Sequence, residues 1–321
     1  MKLSDAIGFN PKTGEYVIGT HKITGEPENT LTASQITSYQ RDLNSMLRNI
    51  STLSAQDHQD LAAAIVEPIQ KVVPYIEIYS DAFVNVNYGE LEDNAIPVED
   101  VQTIAWETNL DGAARPVRPG FSWTRPSFVF YDTAIEMPWA TARYVGWNVL
   151  ARSMKRATED LARKRDQLAG NVWDAAVLPS HVVTVTGGAL TKAGIDTVIK
   201  NAMDTGFPVK RAIVNPGTLA EMSGFTWPNN LSADRVDKLL TKFMFTDYGG
   251  VVWELNPFFS TTEVRFYGDP SEVGWHQTQG SVKNASQVDV INKRDVYLIE
   301  DAGHAYYVGS DATLWQILIT A

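Results

Sequence analysis

Two early stretches of the chain carry apolar residues at helical spacing. The first covers residues 34–50, with Ser34 suited to cap it. The second covers 54–73, where Leu61, Ala64, Ile65, Ile69 and Val72 fall on one face. Ahead of them, residues 1–33 have turn signals at Asn10-Pro11 and Thr13-Gly14 and no apolar period, which predicts an extended arm. From Tyr75 to Met137 the pattern turns strand-like, with one β-branched and aromatic run at Ile76, Ile78, Phe83, Val84 and Val86 and another at Phe128, Val129, Phe130 and Tyr131. Residues 87–126 are rich in Gly, Pro and acidic side chains. So long a segment without helical period predicts a protruding loop or hairpin, with residues 114–120 as its tip.

Pro138 suits a first helical turn, and the stripe Trp147, Leu150, Met154, Ala157, Leu161 and Leu168 predicts one helix over 139–176, broken only by Lys164. Beyond Pro179, strands alternate with shorter helices. Residues 181–186 predict a strand, Thr191 the cap of a helix to Thr205, and Gly206 the left-handed position after it. Residues 209–214 predict a further strand, with Asn215-Pro216 opening the next helix. A third helix near 232–243 and strands near 251–255, 263–267, 287–291, 296–299, 305–308 and 313–319 complete an α+β reading.

Charge adds a second layer. The formal total is -11, but its placement is uneven. Between Val72 and Ala114 there is no Lys or Arg, while Glu77, Asp81, Glu90, Glu92, Asp93, Glu99, Asp100, Glu107 and Asp111 are acidic. The sign then reverses: Arg143, Arg152, Lys155, Arg156, Arg163, Lys164 and Arg165 outnumber Glu159, Asp160 and Asp166. One molecule offers two complementary surfaces. The acidic total argues against a protein that holds nucleic acid by broad phosphate neutralisation, whereas a wall that merely encloses nucleic acid has no such requirement.

Candidate chemistry is sparse. Zero cysteines exclude disulfides, thiolate metal sites and a thiol nucleophile. No run reaches the roughly 20 apolar residues of a membrane span, and the start lacks a signal-peptide core, so the chain reads as made in the cytoplasm. His21, His58, His181, His276 and His304 are scattered, with no metal-ligand spacing, and the phosphate-binding glycine motifs and Gly-x-Ser-x-Gly are missing. Asp301 with His304, and Asp269 with Ser271 and His276, are the only hydrolase-like groupings. No cofactor or metal is implied.

The order of elements resembles the major capsid proteins of tailed bacteriophages, the Hong Kong 97 (HK97) shell fold that encapsulins also use. The motifs that carry it are Asp166-Gln167-Leu168-Ala169-Gly170 late in the long helix, Ile213-Val214-Asn215-Pro216 at a strand-to-helix turn, and Tyr267-Gly268-Asp269-Pro270-Ser271 between late strands. The resemblance implies an HK97-like α+β fold with an N-terminal arm and helix (1–60) and a β-hairpin E-loop (85–125). It further implies a peripheral (P) domain (61–84, 126–180 and 296–321) with a spine helix over about 139–176, and a mixed α/β axial (A) domain (181–295).

It also implies a non-enzymatic virion subunit that self-assembles into pentamers and hexamers of an icosahedral capsid around viral DNA, with portal, scaffolding and cement proteins as further partners. An encapsulin-type compartment and an unrelated α+β hydrolase stay open as alternatives. In a shell, the acidic loop of one subunit lies over the basic helix of its neighbour. The expected contacts are Glu90, Glu92, Asp93, Glu99 and Asp100 against Arg152, Lys155, Arg156 and Arg163, with Trp106 and Trp123 as aromatic anchors. Some members weld their shells through an E-loop lysine and an asparagine. No Lys stands between Lys71 and Lys155 here, so no such crosslink is expected, nor is removal of an N-terminal segment.

Overall fold

A computed structural model of the protein describes residues 7–10, 15–18, 33–79, 81–90, 92–100, 120–145, 147–221, 250–256, 259–281 and 283–321. Strands β1 (Ile7–Asn10) and β2 (Glu15–Ile18) pair antiparallel, followed by helices α1 (Ala33–Arg48) and α2 (Ala55–Ile76). Ser54 starts α2 with a capping box: its side chain accepts from the Asp57 amide, and the Asp57 carboxylate accepts from the Ser54 amide. Strand β3 (Val84–Tyr88) precedes β4 (Ile96–Asp100) and β5 (Gly120–Thr124), which pair antiparallel as a two-stranded ribbon. Then come β6 (Asp132–Pro138), α3 (Trp139–Val145) and α4 (Trp147–Ala176).

The second half supplies β7 (Val182–Thr186), α5 (Lys192–Asp204), β8 (Arg211–Val214), α6 (Pro216–Glu221), β9 (Val252–Leu255) and β10 (Glu263–Tyr267). The single turn α7 (Pro270–Val273) leads to β11 (Gly274–Gln279), β12 (Lys283–Asp289), β13 (Arg294–Glu300), β14 (Gly303–Val308) and β15 (Leu314–Thr320).

Five strands form one mixed sheet in the order β7-β15-β10-β8-β9. Helix α5 covers it, with Ile195, Val198 and Ala202 against Val264, Phe266 and Ile317. Two three-stranded sheets, β14-β11-β3 and β12-β13-β6, pack near α4 and α2. Helix α4 is 30 residues long, about 45 Å, and threads two cores. Leu150, Met154 and Leu161 join α1 and α2 in one, and Ala169 and Trp173 join Phe83, Ile213, Tyr267 and Tyr306 in the other.

Several expectations are corrected. The proposed arm holds a strand pair whose Tyr16 is buried and meets Thr158 of α4 at 2.6 Å, so apolar anchoring replaces an extended course there. Helix α2 takes in Tyr75 and Ile76, closing where the Glu77 amide donates to the Val73 carbonyl. The run 128–131 makes only one bridge, Val129 to His304, and the strand begins at Asp132. Pro138 ends that strand, and helical structure covers Trp139–Val145 and Trp147–Ala176, within the span that the sequence predicts. Strand β15 pairs with β7 and β10, while β12 joins β13 and β6, so hydrogen bonding crosses the boundaries drawn at 181 and 296. The expected helix at 232–243 lies outside the described residues.

A buried polar chain ties these layers together. Arg165, read from sequence as part of a basic surface, is 6% exposed. Its guanidinium donates to Glu77 at the end of α2 and, through Nε at 2.7 Å and Nη2 at 2.5 Å, to Asp301 between β13 and β14. Asp301 also lies 3.2 Å from His304, whose Nδ1 is 3.0 Å from His276 Nε2, and His276 Nδ1 is 2.7 Å from Asn85 Oδ1 on β3. Burial works against the Asp301 carboxylate, but hydrogen bonds from His304 and Arg165 outweigh it and hold it at about 2. Burial, reinforced by His304 and Arg165, pushes His276 down to about 3. Burial also raises Asp166 to about 7, although the Ile78 and Tyr79 amides donate to it.

Two outcomes are expected. Arg165→Met leaves two carboxylates buried without their partner, so urea denaturation should show a loss of about 3–5 kcal/mol; a loss under about 1 kcal/mol would contradict this role. For His276, the unfolded side chain takes a proton near pH 6.5 while the folded one stays neutral down to about 3. Stability is therefore lost as pH falls below about 6.5, by up to about 1.4 kcal/mol per pH unit. Asp166 works in the opposite sense, since the folded state already holds its proton below about 7, but it is common to both proteins. Comparing the wild type with His276→Gln at pH 7.5 and 5.0 isolates the histidine; parallel pH profiles would refute the assignment.

Candidate assembly surfaces

The β4–β5 ribbon is rooted through β3, which runs parallel to β11 from Val84 opposite Trp275 to Tyr88 opposite Gln279. The buried Gln277 amide donates to the Asn94 carbonyl at 3.2 Å and to the Tyr88 hydroxyl at 3.3 Å. Asn94 Nδ2 donates in turn to the Pro126 carbonyl at 2.7 Å, so one clip holds both legs of the ribbon. Beyond the clip, Ile96 faces Thr124 and Asp100 faces Gly120. Trp123 is 63% exposed there, an apolar surface that one subunit alone leaves in water.

Three of the five acidic residues expected to reach a neighbour are engaged within their own chain. Glu90 meets Lys283 at 2.6 Å, and that hydrogen bond holds its carboxyl below the usual range. Asp93 takes a two-pronged contact from Arg125 at 2.9 and 2.8 Å, which lowers its carboxyl likewise. Glu92 accepts from the Gly89 amide at 2.7 Å. The reason is position: these residues stand at the ribbon's root, beside cations of their own fold. Glu99 and Asp100 lie further out on β4, and Trp106 is outside the described residues.

The opposite surface lies on α4. Leu150, Met154, Ala157 and Leu161 face the core, which turns Arg152 and Arg156 outward and leaves Lys155 half-buried. Among the described residues, none of those three cations meets a carboxylate. Arg163 is also exposed and lies 4.0 Å from Asp160. The structure therefore supplies a basic face, on which Arg152, Lys155 and Arg156 have no carboxylate partner among the described residues, and an acidic ribbon with an exposed tryptophan. Among the described residues it does not bring the two together within one chain.

The hydrolase-like groupings are otherwise employed. Asp269 caps α7, accepting from the Ser271 amide and hydroxyl, and pairs with Lys210 at 3.0 Å. Asp301 and His304 belong to the buried chain around Arg165 and approach no serine hydroxyl among the described residues. The pairing of β11 with β14 brings His276 and His304 together, a proximity hidden by their 28-residue separation. No group of three or more metal-binding side chains occurs among the described residues, and no helix there is long and apolar enough to cross a membrane.

No protein-family model matches the sequence, and no curated protein sequence matches it. Solved structures do match. The capsid of the cyanophage P-SCSP1u aligns over 76% of this chain and 88% of its own, at 9% identity and a TM-score of 0.55. The capsid of a native GTA particle aligns over 76% and 90%, at 9% identity and a TM-score of 0.54. The mature capsid of bacteriophage PhiM1 aligns over 76% and 87%, at 10% identity and a TM-score of 0.51. Identities this low speak for architecture alone, and the architecture is that of the HK97-like capsid fold.

Proposed function

We propose that the protein is the major capsid protein of a tailed phage, assembling into pentamers and hexamers of an icosahedral shell around packaged DNA. The observation that carries this reading is the shared fold over about three quarters of the chain with capsids of three separate particles. The β4–β5 ribbon, with residues 101–119, corresponds on this reading to the E-loop, and α4 to the spine helix.

Electrostatics supports a heterologous contact in which the ribbon of one subunit lies over α4 of the next. Glu99, Asp100 and the exposed Trp123 meet Arg152, Lys155 and Arg156 across that contact, and repetition of a head-to-tail interface closes a ring. Glu90 and Asp93 hold the root in place from within their own chain. Each exposed pair contributes only about 0–1 kcal/mol, so the ring depends on several charges and the tryptophan acting together.

Three outcomes are expected. Native mass spectrometry and negative-stain microscopy of the purified chain should show pentamers, hexamers or closed shells; a persistent monomer or dimer, even beside other phage proteins, would overturn the proposal, and shells filled with protein cargo in place of DNA would favour a cellular compartment. Arg152→Glu with Arg156→Glu should abolish capsomers while leaving the circular dichroism spectrum and melting temperature near wild type; normal capsomers would rule out the α4 contact. Mature particles should run as a single band on a denaturing gel, because the segment between Lys71 and Lys155 has no lysine amine to crosslink. A covalent ladder would contradict this.

A further inference from the structure

Several exposed cations are paired within the chain: Lys192 meets Asp196 along α5, and around the sheets Lys210 meets Asp269, Arg211 meets Glu254, Lys283 meets Glu90 and Arg294 meets Glu136. The helical layer differs. Residues 33–56 and 139–158 hold Arg41, Arg48, Arg143, Arg152, Lys155 and Arg156 against one acid, Asp42. Among the described residues none of these six meets a carboxylate. In a chain with a formal charge of -11, these six are a local group of cations without a carboxylate partner among the described residues.

Within that layer the side chains converge at one place. Arg41, Asn44, Ser45, Arg48 and Asn49 line a concavity of about 490 Å³ at the C-terminal end of α1. Arg41 and Arg48 stand seven residues apart, about two helical turns, on the same face. Arg143 of α3 reaches the adjoining turn, where its Nη2 donates to Ser51 Oγ at 2.9 Å. The five described lining side chains can all donate hydrogen bonds, and none of the described residues that line the concavity is a carboxylate.

The chemistry of this donor set selects its ligand. Two guanidinium forks, two amides and a hydroxyl exceed what the two oxygens of one protein carboxylate can accept. A phosphodiester chain brings oxygens at repeated spacing, and Arg, Asn and Ser are residue types that contact nucleic-acid phosphates. We propose that the α1 concavity binds the phosphate backbone of the nucleic acid enclosed by the shell, without reading its sequence. The presence of enclosed DNA rests on the capsid reading above. The geometry of the site does not.

The test uses the full-length chain, unassembled, with a fluorescently labelled 20-base-pair duplex, and reads anisotropy against salt. Three neutralised phosphates give a slope of log affinity on log salt of about -2.7, or about 40-fold weaker binding at 200 mM than at 50 mM salt. Arg41→Gln with Arg48→Gln should lower the slope by about 2, leaving about a 3-fold change over the same range. Arg41→Lys with Arg48→Lys keeps the charge and should keep the slope, which separates lost charge from a damaged fold. No binding by the wild type, or an unchanged slope in the glutamine variant, would overturn the proposal. Release of the duplex by inorganic phosphate at matched ionic strength would make this a free-phosphate site and overturn it too. Glutamine variants that lose capsomers but keep duplex affinity would mark a subunit contact instead. Failure of the wild type to assemble at all would fault the capsid reading, whatever the duplex result.

Discussion

Arg165 is a positive charge held near the middle of a 30-residue helix, away from water, and the surrounding architecture must answer it. A buried ion is tolerated when it is paired and hydrogen-bonded on all sides. Glu77 from the end of α2 and Asp301 from the β13–β14 link do this, and both must arrive in register for either to be satisfied. That requirement sets the depth and rotation of α4. Once they are set, Leu150, Met154 and Leu161 turn inward, and Arg152 and Arg156 are left facing solvent. The chain of contacts continues through His304 and His276 to Asn85 on β3, the strand from which the ribbon springs. A single polar network thus relates the basic face of α4 to the root of the acidic ribbon.

What could be read from sequence is what local chemistry decides. The start of α2 at Ser54, the cap at Thr191 with its hydrogen bond from the Gly194 amide, the left-handed Gly206 and the Asn215-Pro216 start all stand where the letters put them. The stripe along α4 was legible for the same reason. Arg165 was not, because its partners lie 88 and 136 residues away, and a lone arginine among other cations reads as surface. His276 and His304 look scattered until β11 and β14 pair. The same limit applies to sheet membership: β15 carries no local sign that its neighbours are β7 and β10, since strand order is decided by long-range pairing. At the ribbon, the concentration of acid was visible, but not that Lys283 and Arg125 of the same chain take up Glu90 and Asp93.

Charge is partitioned along the fold in a way that suits a wall between two environments. The sheets pair many of their ions internally and stand as a self-satisfied unit. In the helical layer Arg41, Arg48, Arg143, Arg152, Lys155 and Arg156 meet no carboxylate among the described residues, and on the proposed reading α4 is complementary to an acidic ribbon and α1 to phosphate. Neither surface finds its counterpart within one subunit among the described residues. On the proposed capsid reading a single subunit is incomplete, and its net negative charge conceals positive surfaces that contacts within the shell would cover.

The central claim, that the ribbon of one subunit lies across α4 of its neighbour, is tested most directly by a cryo-electron microscopy reconstruction of assembled particles at side-chain resolution. Trp123 and the outer ribbon carboxylates should pack against Arg152, Lys155 and Arg156 of an adjacent copy. A ribbon folded back on its own subunit, or an α4 face left open to solvent within the closed shell, would contradict it.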